Sequence, residues 1–102
     1  MAVFLIAEIV EVLDERLYAS YREQVDVTVG DAGGAYLARG GEIAVLEGAW
    51  QPRRIVLVEF DSTEAARKWW TGPNYRQLKA SRQQSTRTNM IIVEGIRRAG
   101  ER

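Results

Sequence analysis

The sequence predicts an α+β fold in which four strands form one antiparallel sheet and two helices cover one of its faces. Three observations lead to this prediction. Apolar runs typical of strands open and close the chain, amphipathic stretches with helical spacing follow the first and third strands, and a glycine-rich hairpin occupies residues 33–60. The element order is therefore β-α-β-β-α-β. With 102 residues, the chain is expected to form a single domain, 1–102.

The first strand is expected over Val3–Val12, where apolar residues occur at both odd and even positions. A strand that is apolar on both faces is buried on both faces. The helices of one chain can cover only one face of the sheet, so the other face needs a different cover. A second copy of the same sheet is the simplest candidate, and we therefore expect a homodimer that forms through the sheet faces.

The middle of the chain contains the first helix and the hairpin. Asp14 is expected to cap a helix that ends before Gly30. Glycines then lead into a second strand over 35–39, and a short extended piece is expected over 43–47. The third strand should cover 53–60, where apolar residues again occupy both faces.

The last third of the chain begins with a predicted capping box, in which Asp61 caps the second helix and Glu64 reaches back. Pro73 interrupts this helix and starts a new helical segment, because proline is favoured at a first helical position. The fourth strand is expected over 88–96. The tail, 97–102, is expected to fray.

The composition narrows the possible chemistry. The chain has no cysteine and no histidine, which excludes thiolate nucleophiles and imidazole as a general base, metal ligand or haem ligand. Any catalysis would use carboxylates, tyrosines, arginines, lysines, hydroxyls or a bound cofactor, and no cofactor is predicted. No apolar run approaches the roughly 20 residues of a membrane span, and no basic leader precedes the first strand. A cytoplasmic protein with no membrane contact is expected.

The charges are unevenly distributed, although the formal net charge is zero. Residues 1–64 contain twelve acidic and five basic residues, whereas residues 65–93 contain six basic residues and no acidic one. The basic segment could serve an anionic partner, or it could be a solvated face balanced by the acidic half or by a second subunit. Nucleic-acid binding is not expected, because the open face of the third strand presents Ile55, Leu57 and Glu59 instead of stacking aromatics.

Three strands each carry one carboxylate in an apolar row, namely Glu8, Glu59 and Glu94. Their parity places them on the open face of the sheet, and Arg39 is expected to join them. A carboxylate in apolar surroundings has a raised pKa suited to proton transfer. Glu59 and Glu8 are therefore the candidate catalytic residues, with Arg39 and Glu94 as ligand-binding residues. Alternatively, Glu59 and Arg39 form an interface ion pair that sets the dimer register.

Two aromatic residues, Tyr36 in a strand and Trp50 in a loop, are hard to place in one small core, so each is expected to line a pocket or a subunit contact. The other helical aromatics are expected to pack in the core. Gly40 and Gly41 form a hairpin turn and not a phosphate cradle, because a strand follows them. The three glutamates are a weak signal for a hard cation, and no metal site is predicted.

Several motifs resemble a known family, catalogued as domain of unknown function 1330. They are Tyr18 with Tyr21, the segment 34–41 (GAYLARGG), the segment 46–50 (LEGAW) with Pro52, the segment 58–60 (VEF), and Ala65, Ala66 and Trp69 with Tyr75. The resemblance covers the chain from Val3 to about Ile96.

This resemblance implies a ferredoxin-like fold related to the dimeric α/β barrels, in which two sheets pack face to face and enclose a pocket. It implies no settled activity. Relatives in the wider superfamily include cofactor-free monooxygenases, small-ring isomerases and haem-dependent enzymes, and the lack of histidine argues against a haem role. The expected function is binding or transformation of a small, partly apolar organic molecule in the inter-sheet pocket. The alternative is a protein whose charges serve assembly or ligand sensing alone, without enzymatic activity.

Overall fold

A computed structural model describes residues 2–96 of the chain. The elements are β1 (Val3–Val12), α1 (Glu15–Asp31), β2 (Ala35–Arg39), β3 (Ile55–Phe60), α2 (Thr63–Thr71), α3 (Pro73–Ser85) and β4 (Thr86–Glu94). The strands form one antiparallel sheet in the order β2-β3-β1-β4. The predicted α+β, ferredoxin-like fold is confirmed, and the predicted fraying of 97–102 lies outside the described residues.

Local signals at the helix ends explain most of the element boundaries. The Asp14 carboxylate accepts a hydrogen bond from the Leu17 amide at 3.0 Å, as predicted for the first cap. The second cap is Ser62 and not Asp61, because the Ser62 hydroxyl accepts from the Ala65 amide at 3.0 Å. The segment that restarts after Gly72 begins at Pro73, as predicted.

The central part of the chain differs from the sequence prediction in three places. Helix α1 continues through Gly30 to Asp31, because its last turn is held by the buried side chain of Val29. The predicted extended piece over 43–47 is a loop, since β2 pairs with β3 only through residues of 35–39 and leaves this segment without a strand partner. Strand β3 begins at Ile55, two residues after the predicted start at residue 53.

The core lies between the helices and one face of the sheet. Alternate residues of β1 are almost completely buried there: Val3, Leu5, Ala7 and Ile9. They pack against buried side chains of the helices, namely Tyr18, Tyr21, Val25, Val29, Ala66, Trp69 and Tyr75. The opposite face of the sheet is also rich in apolar side chains but has no covering layer in one chain. Within residues 2–96, none of the helices combines the length and apolar character that crossing a membrane requires.

Candidate functional site

A bulge in β2 changes the face on which Arg39 lies. The register shifts between Tyr36 and Ala38, so that Arg39 is paired with Val56 on the helix-covered face. A one-residue shift moves every later side chain to the other side of the sheet. The predicted placement of Arg39 on the open face, together with its ion pair to Glu59, is therefore wrong.

Glu94 also lies on the other face from the one predicted. In the β1–β4 register it is paired with Val3, a residue of the helix-covered face, whereas Val93 is paired with Phe4 on the open face. In β4 the alternating residues are apolar on both faces of the strand, so the sequence pattern alone does not show which face packs on the helices. Glu94 stands exposed at the end of this strand.

Glu8 and Glu59 do lie on the open face, but they do not converge. Glu59 is paired with Phe4 and Glu8 with Ile55, four residues apart along β1, which corresponds to roughly 13 Å at the usual rise per strand residue. The structure instead brings Glu8 to Trp50, whose indole nitrogen donates to the Glu8 carboxylate at 2.8 Å.

The loop that carries Trp50 thus reaches back to the open face of the sheet. Asn89 completes the contact, because its amide nitrogen donates to the other carboxylate oxygen of Glu8 at 3.3 Å. Glu8 therefore anchors the loop at this end of the sheet. Among the described residues, no group of three or more acidic side chains is placed to hold a metal ion.

A cavity lies on the opposite side of the sheet, between the sheet and the helices. It encloses about 40 Å³, which is room for a few water molecules. Apolar side chains of β1, β3 and α1 form its walls. Its polar lining consists of tyrosines and arginines, namely Tyr18, Tyr21, Tyr36, Arg22, Arg39, Arg54 and Arg82. None of the carboxylates in residues 2–96 lines it, so the charged groups at its surface are all cationic.

Two of the lining residues, Tyr21 and Arg82, are joined through Tyr75 by a buried chain of hydrogen bonds between α1 and α3. The hydroxyl oxygens of Tyr21 and Tyr75 are 2.8 Å apart, although the residues are 54 positions apart in sequence. The Arg82 Nε atom donates to the Tyr75 hydroxyl at 3.2 Å. The ring of Tyr75 stacks on that of Trp69 with centroids 3.9 Å apart, which holds the tyrosine in place.

Arg82 is unusual because it is a nearly buried arginine without an acidic partner in residues 2–96. The residue is only 4% exposed, and the ion pairs formed within residues 2–96 do not include it. Its guanidinium carbon lies 5.9 Å from the centre of the Trp70 ring, and this contact compensates the buried charge only in part. Nearly buried charges in proteins are normally paired, which makes Arg82 a candidate ligand-binding residue.

Three other arginines also line the cavity and are more exposed than Arg82. Arg54 Nε donates to the Tyr18 hydroxyl at 3.1 Å, and the Arg22 guanidinium carbon lies 5.1 Å from the centre of the same ring. Arg39 lies 4.5 Å from the centre of the Tyr36 ring and bonds the Asp26 carboxylate at 2.6 Å. Arg22 is exposed, whereas Arg39 and Arg54 are half-buried.

The hydroxyls of Tyr21 and Tyr36 are neutral donors at physiological pH. Burial, reinforced by the neighbouring Tyr75, raises the pKa of Tyr21 far above its ordinary value. Burial likewise raises the pKa of Tyr36 to about 12, although the nearby Arg39 charge opposes the shift. The Asp26 carboxylate raises the pKa of Arg39, which therefore stays charged.

The sequence prediction named Tyr36 and Arg39, which the structure brings together in this cavity, but it missed Tyr21 and Arg82. A signal for Arg82 was present. It follows Tyr75 by seven positions and Leu78 by four on the apolar stripe of α3, and a basic residue on such a stripe points into the protein.

Comparison with known proteins gives a family and a fold. The family model described as Domain of unknown function (DUF1330) matches residues 2–96. No curated protein matches the sequence.

Solved structures that resemble the chain include a protein of unknown function from Rhodopseudomonas palustris, with 14% identity, a TM-score of 0.75 and coverage of 95% of this chain and 84% of that one. A dimeric ferredoxin-like protein of unknown function from Jannaschia sp. CCS1 has 10% identity and a TM-score of 0.74, and the match covers 93% of this chain and 100% of that one. SnoaB, a cofactor-independent oxygenase from Streptomyces nogalater, has 9% identity, a TM-score of 0.65 and coverage of 98% of each chain. At these identities the likeness is one of fold alone.

Proposed function

The chain belongs to the DUF1330 family, and we propose that it binds a small, partly apolar organic molecule in the cavity between its helices and its sheet. The observation that carries this proposal is the nearly buried residue Arg82, which lines the cavity and has no acidic partner in residues 2–96. A cavity with apolar walls and a few convergent polar groups is the usual form of a small-molecule site.

The hydrogen-bond chain supplies a second polar group for the ligand. Arginine can only donate, so the Tyr75 oxygen accepts from Arg82 and its own proton is available to the Tyr21 oxygen. The Tyr21 proton is then available to an oxygen of the ligand. A carboxylate, enolate or polarised carbonyl would satisfy both Arg82 and Tyr21, and the apolar walls would contact the rest of the molecule.

We test this function with a screen of small aromatic and aliphatic carboxylates, ketones and phenols, read first by thermal shift and then by titration calorimetry. Any ligand found should bind Arg82→Met at least ten-fold more weakly, because removal of one partner of a buried charged contact costs about 2–5 kcal/mol. The matched control is Arg76→Met, since Arg76 is an exposed arginine on the same helix.

Two results would contradict the proposal. One is a screen without a ligand for the wild-type protein, which would favour the alternative role in assembly alone. The other is a ligand that binds Arg82→Met as tightly as the wild type, which would place the site elsewhere. The open face of the sheet, where Glu8, Trp50 and Glu59 lie, is then the next place to examine, as the predicted inter-sheet pocket would lie there.

The proposed assembly is a homodimer in which the open faces of two sheets pack together. Its support is the apolar character of that face, where Ile91 is 59% and Val93 45% exposed in one chain, because exposed apolar patches of this kind mark interaction sites. Two of the solved structures with this fold are described as dimeric. Glu8 and Glu59 would then lie within the interface. The cytoplasmic location stays a prediction of the composition.

A further inference from the structure

A groove of about 270 Å³ lies beside the cavity, between helix α2 and strand β4. Its floor is apolar and includes Ile92, while Trp70 forms one wall and Arg67 stands at its side. The groove is close in size to the lower limit of roughly 300 Å³ for small-molecule sites, whereas the cavity at Arg82 is far below that limit. The cavity alone has room for a compact polar group, and a longer ligand needs further space.

The cavity and the groove share part of their lining. Leu5 and Met90 line both spaces, so these two side chains lie at the boundary between them. Arg82 lines the cavity and lies 5.9 Å from the ring of Trp70, which lines the groove. Met90 is the more adaptable of the two separating residues, because methionine is unbranched and has three rotatable bonds. Any passage between the two spaces therefore depends on the side-chain conformation of Met90 or Leu5.

We propose that the cavity and the groove form one elongated site for an organic carboxylate with an unbranched apolar tail. The carboxylate lies at Arg82 and Tyr21, and the tail passes Met90 into the groove against Trp70. This inference rests on the function proposed above and adds to it the class of the ligand. The orientation of the ligand follows from the lining of the two spaces. Its carboxylate faces the cavity, where Arg82 is the cation, and its apolar tail faces the apolar floor of the groove.

The experiment is a calorimetric titration with the series acetate, butanoate, hexanoate and octanoate, with octan-1-ol as the neutral probe of matched length. Burial of each further methylene should tighten binding about four-fold. Octan-1-ol should bind at least ten-fold more weakly than octanoate, because it leaves the charge of Arg82 without a partner. The stoichiometry should be one molecule per chain, which separates site binding from detergent-like adsorption.

Two substitutions at one position test the passage. Met90→Phe should abolish the gain in affinity with chain length, because a larger, stiffer side chain keeps the spaces apart. Met90→Ala should preserve or increase that gain. Thermal melts of both variants show whether each is folded, and Arg82→Met should lose the longer acids as well as the shorter ones.

Each outcome supports or overturns the inference. Affinity that rises with length in the wild type and in Met90→Ala but not in Met90→Phe supports it. Acids that bind with no dependence on length, or with the same dependence in Met90→Phe, overturn the elongated site while the cavity function stands. Equal binding of octan-1-ol and octanoate overturns the anionic head group. If no acid binds, the inference is wrong, and the broader screen decides separately whether the cavity binds another class of molecule.

Discussion

Replacement of Arg82 by methionine should stabilise the unliganded protein. Burial of an ion costs several kcal/mol, whereas the hydrogen bond from Arg82 to Tyr75, as one made by a charged group, returns about 1.5–3 kcal/mol. The distant contact with Trp70 returns less than about 1 kcal/mol. Methionine keeps an apolar stem and a similar helix propensity, and the Tyr75 hydroxyl keeps Tyr21 as a partner at 2.8 Å. The cost of burying the charge therefore exceeds what these contacts return. Arg82→Met should raise the free energy of unfolding by about 1 kcal/mol, or the melting temperature by roughly 4–8 °C for a domain of this size.

The assay is thermal and urea unfolding followed by circular dichroism at neutral pH, with protein concentration held constant because a dimer's stability depends on it. Arg76→Met, on the exposed side of α3, should change the free energy of unfolding by less than about 0.5 kcal/mol. A loss of more than about 1 kcal/mol in Arg82→Met, with Arg76→Met unchanged, would refute the reasoning. Arg82 would then be a structural residue, and its burial would no longer indicate a ligand.

Three further predictions concern other parts of the molecule. The free energy of unfolding should fall as the pH rises from about 10, where tyrosine ionises in the unfolded chain, towards about 12, the raised pKa of Tyr36, because the folded state holds this proton longer. Tyr36→Phe should lessen this fall, which unfolding curves and tyrosinate absorbance would measure. Urea unfolding of Trp50→Phe, Glu8→Gln and the double mutant should show a coupling energy of about 0.5–1.5 kcal/mol, the usual net value of one hydrogen bond. Purely additive effects would mean that the contact between Trp50 and Glu8 does not hold the loop. Leu57→Glu on the open sheet face should convert the dimer into monomers in analytical ultracentrifugation, whereas Gln77→Glu on the exposed side of α3 should not. A wild-type monomer at low micromolar concentration would rule out the dimer itself.

Sequence signals predicted the elements well wherever the deciding contact is local. The cap at Asp14 and the restart at Pro73 depend on residues within one helical turn, and both are found in the structure. The cap of α2 was displaced by one residue, from Asp61 to Ser62, because both residue types can cap and only the backbone conformation chooses between them. The predicted piece over 43–47 failed because a strand needs a partner that the local sequence does not specify.

The candidate site was predicted less well, because it depends on contacts between distant segments. Arg39 was assigned to the wrong face since a bulge in β2 has no clear signature in the sequence. The pairing of Tyr21 with Tyr75 joins helices 54 positions apart, and each tyrosine alone is explained by ordinary core packing. Trp50 and Glu8 were both named as candidates, but their contact depends on the path of a loop without regular structure.

By itself, the sequence determined the order of the elements, the two apolar faces of the sheet and the absence of histidine and cysteine chemistry. These features follow from side-chain type and period, which act over a few residues. Only the tertiary structure decided which face carries Arg39, and that Arg82 is buried at a cavity without an acidic partner in residues 2–96. The register of strand pairing and the packing of α1 on α3 set these positions, because they bring together side chains from remote segments that no local pattern relates.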